Sequence, residues 1–273
     1  MVRITYMSGF TFPLNRAIGI QSLYMNTYYR AYTMKNYLYK LIIYSVTDLC
    51  YNNCLNYFPS GSRILDVGIG NGMMLRNYHA LIKSKNFSIV GIDINKEYLS
   101  HCGSLIRNCG LEDQIRIFHE PVECYEPPEQ GYFDFILFSM SFMLFNDQEL
   151  VLDRIRGWLK PGGKILFFQT MFHDRSLFME FIKPKLKYFT TVDFGRVTYD
   201  ESFFDLLQKK RLAIVEDRLI KKEWFKGEYR LIISSLENGK AAKSTARVSR
   251  IEPAYLRPRQ LKKAERKSHT IKY

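Results

Sequence analysis

Three glycines alternate in the run Asp66-Val67-Gly68-Ile69-Gly70-Asn71-Gly72, and a second acid, Asp93, lies twenty-one residues beyond Gly72 in Gly91-Ile92-Asp93-Ile94. Glycine has no Cβ, so such a turn bends sharply and lets a ligand approach main-chain atoms closely. A carboxylate at the place of Asp93 accepts from both hydroxyls of a ribose, which suits dinucleotides and adenosyl compounds alike. The turn itself discriminates between them. Dinucleotide sites space their glycines GxGxxG and seat a negative pyrophosphate against a helix N-terminus. Here the spacing is GxGxG, and Asp66 stands just before it. An acid in that place repels a pyrophosphate and favours ammonium and sulfonium charges, by contact or through the local potential.

Such residues converge only if the elements around them bring them to one edge of a sheet. Short runs rich in Ile, Val, Leu and Phe occur at Arg63–Val67, Ser88–Asp93, Ile115–Phe118, Phe133–Ser139 and Lys164–Gln169. Buried parallel strands have that composition. Between them Met73–Lys85, Lys96–Asn108 and Gln148–Leu159 carry helical periodicity, the rhythm of a parallel α/β sheet. Lys160-Pro161-Gly162-Gly163 is expected to stop a helix and turn the chain into the next strand. Further on, Ser176–Phe181 and Glu201–Lys210 are expected to be helical, and Leu212–Ile220 and Tyr229–Ser235 to be strands. Their connection of about eight residues is too short for a parallel crossover, so they predict an antiparallel pair. One or two helices are expected between Thr33 and Phe58, ahead of the break at Pro59-Ser60-Gly61. The expected fold is therefore α/β: a doubly wound, mostly parallel, seven-stranded sheet ending in an antiparallel pair.

DVGIGNG, GIDIN, FDFILFSMSF and LKPGGKILFF, in that order over roughly Arg63–Gln169, resemble the successive signatures of the class I S-adenosylmethionine-dependent methyltransferase superfamily. The resemblance implies a Rossmann-like methyltransferase fold with S-adenosylmethionine as cofactor. It implies that Asp66, Gly68, Gly70 and Gly72, with Asn71 between them, enclose the methionine part. Asp93 would hold the ribose, Ile94 would pack on the adenine, and Glu120 would accept from the adenine amino group. Ser139 would present its backbone carbonyl to the methionine ammonium. Pro121 departs from the pattern because it has no N–H to give the ring, so either Val122 takes over or that bond is missing. Ile69 also departs, standing where many members carry a small residue, and is expected to alter packing only.

Methyl transfer is an in-line displacement from an activated sulfonium, so the protein mainly aligns a nucleophile and excludes water. His173, four residues past Gln169, is the candidate base for an acidic acceptor, although a surface histidine at a helix start fits it as well. The fourth strand ends in Ser139-Met140-Ser141-Phe142, without the Asn/Asp-Pro-Pro-Tyr/Phe string by which nucleobase and amide N-methyltransferases grip an amino group. The string is closer to that of small-molecule and quinone methyltransferases. Aromatics crowd residues 1–58 and the region 172–201, and Tyr28, Tyr29, Phe142 and Phe172 are candidate acceptor contacts. Aromatics at helical spacing also simply pack a core.

The chain of 273 residues carries a net charge of +13. Residues 239–273 hold eleven Lys or Arg against two Glu, so nine of those charges belong to the tail and the rest of the chain is close to neutral. The expected division is an aromatic-rich helical extension at 1–58, a cofactor-binding domain at 59–238 and a flexible, disordered basic tail at 239–273. The tail could attract nucleic acid or an anionic membrane surface. Cys50, Cys54, Cys102, Cys109 and Cys124 lack the paired spacing of zinc sites and are expected to be idle thiols, with no metal. Neither a signal sequence nor an apolar stretch of ~20 residues is expected, so a cytoplasmic protein, free or peripheral to a membrane, is anticipated. Three functions follow: methylation of a small, apolar or aromatic acceptor; methylation of RNA or protein recruited by the tail; and a non-catalytic cofactor-binding scaffold.

Overall fold

The computed structural model describes residues 3–5, 11–13, 45–173, 175, 180–181, 185, 197–223 and 227–237. Two short strands, β1 (Arg3–Thr5) and β2 (Thr11–Pro13), pair antiparallel. The main body begins with α1 (Ser45–Tyr57), followed by β3 (Arg63–Val67), α2 (Met73–Ser84), β4 (Ser88–Asp93) and α3 (Lys96–Cys109). It continues through β5 (Ile115–His119), β6 (Phe133–Ser139), α4 (Gln148–Arg156) and β7 (Leu159–Met171). It closes with α5 (Asp200–Lys209), β8 (Leu212–Glu223) and β9 (Gly227–Leu236).

β3 to β9 form one seven-stranded sheet in the order β5-β4-β3-β6-β7-β9-β8. β3, β4, β5, β6 and β7 are mutually parallel, and β9 runs antiparallel between β7 and β8. The expected antiparallel pair is therefore present. Its strands are longer than the sequence predicts, and only residues 224–226 connect them.

Alternate residues of each central strand face opposite layers, which is why the strands read as unbroken apolar runs. Ile64, Phe135, Leu137 and Phe168 pack with α1, α2 and α3 through Cys50, Leu55, Leu75, Ile82, Leu99 and Ile106. Leu65, Ile136, Phe138 and Phe167 pack on the other face with Val151, Leu152 and Ile155 of α4 and Phe203 and Leu207 of α5. The sheet is thus doubly wound. Helix starts follow ordinary capping chemistry: Asn95 accepts from the Tyr98 amide at 3.0 Å and Asp147 from the Leu150 amide at 2.9 Å.

Two expectations need correction. The helix predicted over Gln148–Leu159 stops at Arg156, and Lys160–Gly163 lie within β7 rather than in a turn before it. Leu159 pairs with Phe133 and Lys164 with Phe135, so the intervening residues bulge out of the ladder. Gly162 has φ of 80°, and a Cβ on Gly163 would lie 2.9 Å from the Lys160 carbonyl oxygen, so the glycines are what let the bulge close. The helices expected from Thr33 to residue 44, most of the stretch 176–181 and the tail from 239 lie outside the described residues. Among the described residues no helix is long and apolar enough to cross a membrane.

β3 lies between β4 and β6, so the chain leaves β3 to one side and returns past it to the other. The carboxyl ends of β3 and β6 flank the crevice that this reversal opens, where ligands of open α/β sheets bind.

Candidate functional site

Main-chain bonds fold the glycine turn against the end of β4. The amides of Gly68 and Ile69 donate to the Ile92 carbonyl at 2.8 and 3.2 Å, and the Gly70 amide donates to Asp93 Oδ2 at 2.9 Å. Asp93 Oδ1 accepts from the Asn95 amide at 2.8 Å. Each oxygen of Asp93 therefore carries one backbone donor and keeps further acceptor capacity. Gly68, Gly70 and Gly72 all have positive φ. At two of them sterics adds to the conformational demand: a Cβ would lie 2.7 Å from Ser141 Cβ at Gly68 and 2.7 Å from Cys102 Sγ at Gly72. A Cβ on Gly70 would meet nothing within 4 Å, so the turn is open on that side. Asn71 Oδ1 accepts from the Met73 amide at 3.1 Å and starts α2. Ile69 is buried in the core against Gly91, whose absent Cβ would lie 2.4 Å from Ile69 Cδ1.

Asp66 is 1% exposed. Its Oδ2 accepts from the Tyr51 hydroxyl at 2.9 Å, and its Oδ1 is buried without a hydrogen-bond partner. Burial, with a smaller contribution from Asp93, lifts its carboxyl to about 7, against the lowering effect of the Tyr51 hydrogen bond. Among the described residues no Lys, Arg or His pairs with it. A buried carboxylate with a free oxygen and no cation is costly alone and is relieved by a cation brought from outside. The cofactor implied by the resemblance carries positive charge at its methionine end.

Tyr51 and its neighbour Cys50 come from α1; nothing in the sequence marks Tyr51, and Cys50 is expected there only as an idle thiol. Cys50 Sγ lies 3.3 Å from Ser139 Oγ. A helix that tyrosine and cysteine merely pack into cannot be told apart, in sequence, from one that reaches a buried acid. Ser139 ends β6, and Met140 after it adopts φ of 57°, a left-handed conformation that is unfavourable for a non-glycine residue. That kink carries Ser141 back over β3, where its hydroxyl donates to the Val67 carbonyl. Across the crevice Ile94 is 72% exposed beside Asp93. His119 Nε2 lies 3.0 Å from the Ile94 carbonyl, tying the ends of β4 and β5. Glu120 is half-buried after β5, Pro121 is exposed and the Val122 side chain is buried in the core.

The residues expected to touch the acceptor are placed differently. Phe142 is a correction: its ring is 1% exposed and packs against Phe138, Phe167 and Phe203, so it offers no surface to a ligand. The expectation failed because the chain after Met140 turns inward rather than across the crevice. Phe172 is half-buried and bridges in parallel to Tyr199, while Tyr28 and Tyr29 lie outside the described residues. His173 is held on both sides, by Asp200 at Nδ1 and by Glu228 at Nε2, the latter at 2.9 Å. Both ring nitrogens are thus taken up by side chains of α5 and β9. Glu228 is buried, which would raise its carboxyl, but Lys222 and His173 more than offset this and hold it below its usual value. A separate groove of about 730 Å³ lies between α4 and α5, lined by Phe145, Asp147, Leu150, Phe203 and Lys210, and the glycine turn does not contribute to it.

Residues 64–163 match the family described as a methyltransferase domain. The chain is 31% identical over 167 residues to the ubiquinone/menaquinone biosynthesis C-methyltransferase UbiE of Wigglesworthia glossinidia brevipalpis, covering 60% of this chain and 62% of that protein. It is 25% identical over 197 residues to malonyl-[acyl-carrier protein] O-methyltransferase 2 of Ilyobacter polytropus, covering 70% and 68%. In fold it is similar to a geranyl diphosphate methyltransferase in complex with SAM (TM-score 0.57, 13% identity, 70% of this chain and 85% of that one). A SAM-dependent methyltransferase from Aquifex aeolicus is similar in the same way (TM-score 0.55, 16% identity, 73% and 97%). The strand order with its reversed β9, the glycine turn against Asp93, the unpaired acid behind it and these relatives agree on one identity. Residues 64–163 carry a class I S-adenosylmethionine-dependent methyltransferase domain, and the chain is distantly homologous to the UbiE quinone C-methyltransferases over somewhat less than two thirds of their length.

Proposed function

We propose that the protein transfers the methyl group of S-adenosylmethionine to a small, apolar or aromatic acceptor. The observation that carries the cofactor half of this reading is Asp66, a buried acid with one oxygen unpartnered at the base of a glycine turn. When bound, the cofactor supplies a methyl group already activated on a sulfonium sulfur. Asp66 and the turn through Gly68, Gly70, Asn71 and Gly72 hold the methionine end. The remaining lone pairs of Asp93 accept from the ribose hydroxyls, and exposed Ile94 covers one face of the adenine. Glu120 accepts from the adenine amino group. Pro121 leaves no N–H there, so either Val122 supplies one or that bond is missing. Ser139 directs its carbonyl to the ammonium. The left-handed Met140 ends the strand just past that carbonyl and turns Ser141 back over β3.

For the acceptor, the support is the strand-end string Ser139-Met140-Ser141-Phe142, which has no Pro-Pro pair and no amide to hold an exocyclic amine. Relatives that act on quinones by name point the same way. Transfer to such a substrate needs alignment and exclusion of water more than proton removal. The direct experiment incubates the protein with methyl-labelled cofactor and separate apolar and nucleic-acid fractions of a cell extract, then identifies the labelled product by mass. Label in a lipophilic small molecule is expected. Label confined to RNA or protein would overturn the acceptor reading and favour recruitment by the basic tail, whose eleven Lys or Arg are its specific support. Calorimetry showing no cofactor binding at millimolar concentration would instead favour a scaffold.

A further inference from the structure

We propose that Tyr51 is a positioning residue of the cofactor site: its hydroxyl holds Asp66 Oδ2 and leaves Oδ1 as the oxygen that meets the cofactor's cationic end, so docking of α1 is part of tight cofactor binding. The inference rests on the cofactor reading above and adds a residue from outside the domain's motif segment, since Tyr51 precedes residues 64–163. Three observations carry it. The Tyr51 ring is 3% exposed and its hydroxyl donates to Asp66 at 2.9 Å. Asp66 Oδ1 is buried without a partner. The helix that bears Tyr51 is fixed to the cofactor half of the sheet, with Cys50, Cys54, Leu55 and Phe58 in the core and Asp48 Oδ1 accepting from Asn77 of α2 at 2.7 Å.

The groups around Asp66 make the hydroxyl matter. From α1 it faces Tyr51 and Cys50, from β4 Asp93 and from α3 Cys102; the Ser139 hydroxyl of β6 lies against Cys50. Asp93 is acidic, and burial pushes Cys50, Cys102 and Tyr51 upward so that they stay protonated and uncharged. Among these neighbours Tyr51 is the hydrogen-bond donor to the carboxylate, and its bond favours the ionised form of Asp66. Without it the acid would be protonated over a wider pH range and would attract a cation less.

The test is isothermal titration of the full chain with S-adenosylmethionine from pH 6 to 9, for wild type, Tyr51→Phe, Asp66→Asn and the double variant. Tyr51→Phe keeps the ring and loses only the hydroxyl. Its affinity is expected to fall about tenfold at pH 7, the scale of a hydrogen bond to a charged group. The pH midpoint of binding should move upward, and the two proteins should converge near pH 9. In the Asp66→Asn background the same substitution should change nothing further. Equal affinity of wild type and Tyr51→Phe at every pH would overturn the proposal, as would a uniform loss at all pH values or an undiminished loss in the Asp66→Asn background. Should Tyr51→Phe fail to fold, 3-fluorotyrosine installed at position 51, with a more acidic hydroxyl, is expected to lower the midpoint, and an unmoved midpoint overturns the idea. Failure of wild type to bind would remove the cofactor reading itself, an outcome distinct from a silent Tyr51→Phe.

Discussion

If Asp66 meets the cofactor's cation as proposed, cofactor binding is coupled to pH through its carboxyl. Its carboxyl stands at about 7 in the folded chain, mainly through burial, against an ordinary value of 3.8. A raised acid contributes stability that is fully present below its unfolded value and is lost as pH rises through the folded one. The protein without cofactor is therefore expected to lose stability between about pH 4 and pH 7, and Asp66→Asn should not. Urea unfolding at pH 5 and pH 8 should show wild type losing on the order of 2 kcal/mol more than the variant. Cofactor binding has the opposite sign, because the cation needs the ionised acid. Affinity should drop up to about tenfold per unit as pH falls below 7, with proton release detectable by calorimetry in buffers of different ionisation enthalpy. His173 makes a contrasting case. With Asp200 and Glu228 on its two nitrogens, His173→Gln is expected to cost turnover less than tenfold, well short of the ~10²–10⁴-fold that a general base supplies. A larger loss of kcat with an altered pH profile would restore the catalytic reading of this residue.

The turn between β3 and α2 depends on what lies beneath it as much as on its own glycines. Gly91 in β4 is required because Ile69 fills the space its side chain would need, at 2.4 Å from Cδ1. Gly91→Ala is expected to destabilise the protein by about 1–3 kcal/mol, as overpacking of a tight core does. Ile69→Ala in the same chain should recover most of that loss, which thermal unfolding of the two single variants and the double variant would read out. Gly72→Ala has no such remedy. Its φ of 71° and the Cys102 backbone 3.1 Å from the added carbon are both unfavourable, so loss of Tm together with cofactor affinity is expected whatever stands at position 102. The bulge at Lys160–Gly163 follows the same logic at the other end of the sheet. Its Lys-Pro-Gly-Gly string reads as a turn, and only the pairing of Phe133 with Leu159 makes it part of β7.

At the scale of the whole molecule, the residues that gather around the glycine turn lie between Tyr51 and Ser141, about a hundred residues along the sequence before the basic stretch at 239–273. Deleting that stretch is expected to leave cofactor affinity unchanged while lowering retention on anionic vesicles or RNA, with a shallower dependence on salt for whichever of them it engages. Unchanged turnover on a small acceptor after the deletion would separate the catalytic body from any recruiting role of the tail.

What could be read from the chain alone was whatever local chemistry dictates. The apolar runs, the helix caps and the GxGxG spacing are short-range signals, and they were enough to predict five parallel strands, a reversed pair, the turn and its two acids. Asp66 and Asp93 stand out in the chain because each is an acid next to an apolar strand end, and the structure brings Asp93 to the Gly70 amide and buries Asp66 beneath the turn. Tyr51 was not, because its partner lies fifteen residues away across a break at Pro59-Ser60-Gly61, and nothing in a helix of mixed aromatic and polar residues says which side chain reaches a buried oxygen. Phe142 shows the converse: residue type and nearness to a strand end nominated it, but the inward turn after Met140 gave it packing instead, and for His173, where the chain alone leaves a base and a surface histidine open, only the tertiary structure brings up Asp200 and Glu228. Long-range neighbours decide whether a side chain is presented to a ligand or consumed by the fold, and those neighbours exist only once the sheet has closed.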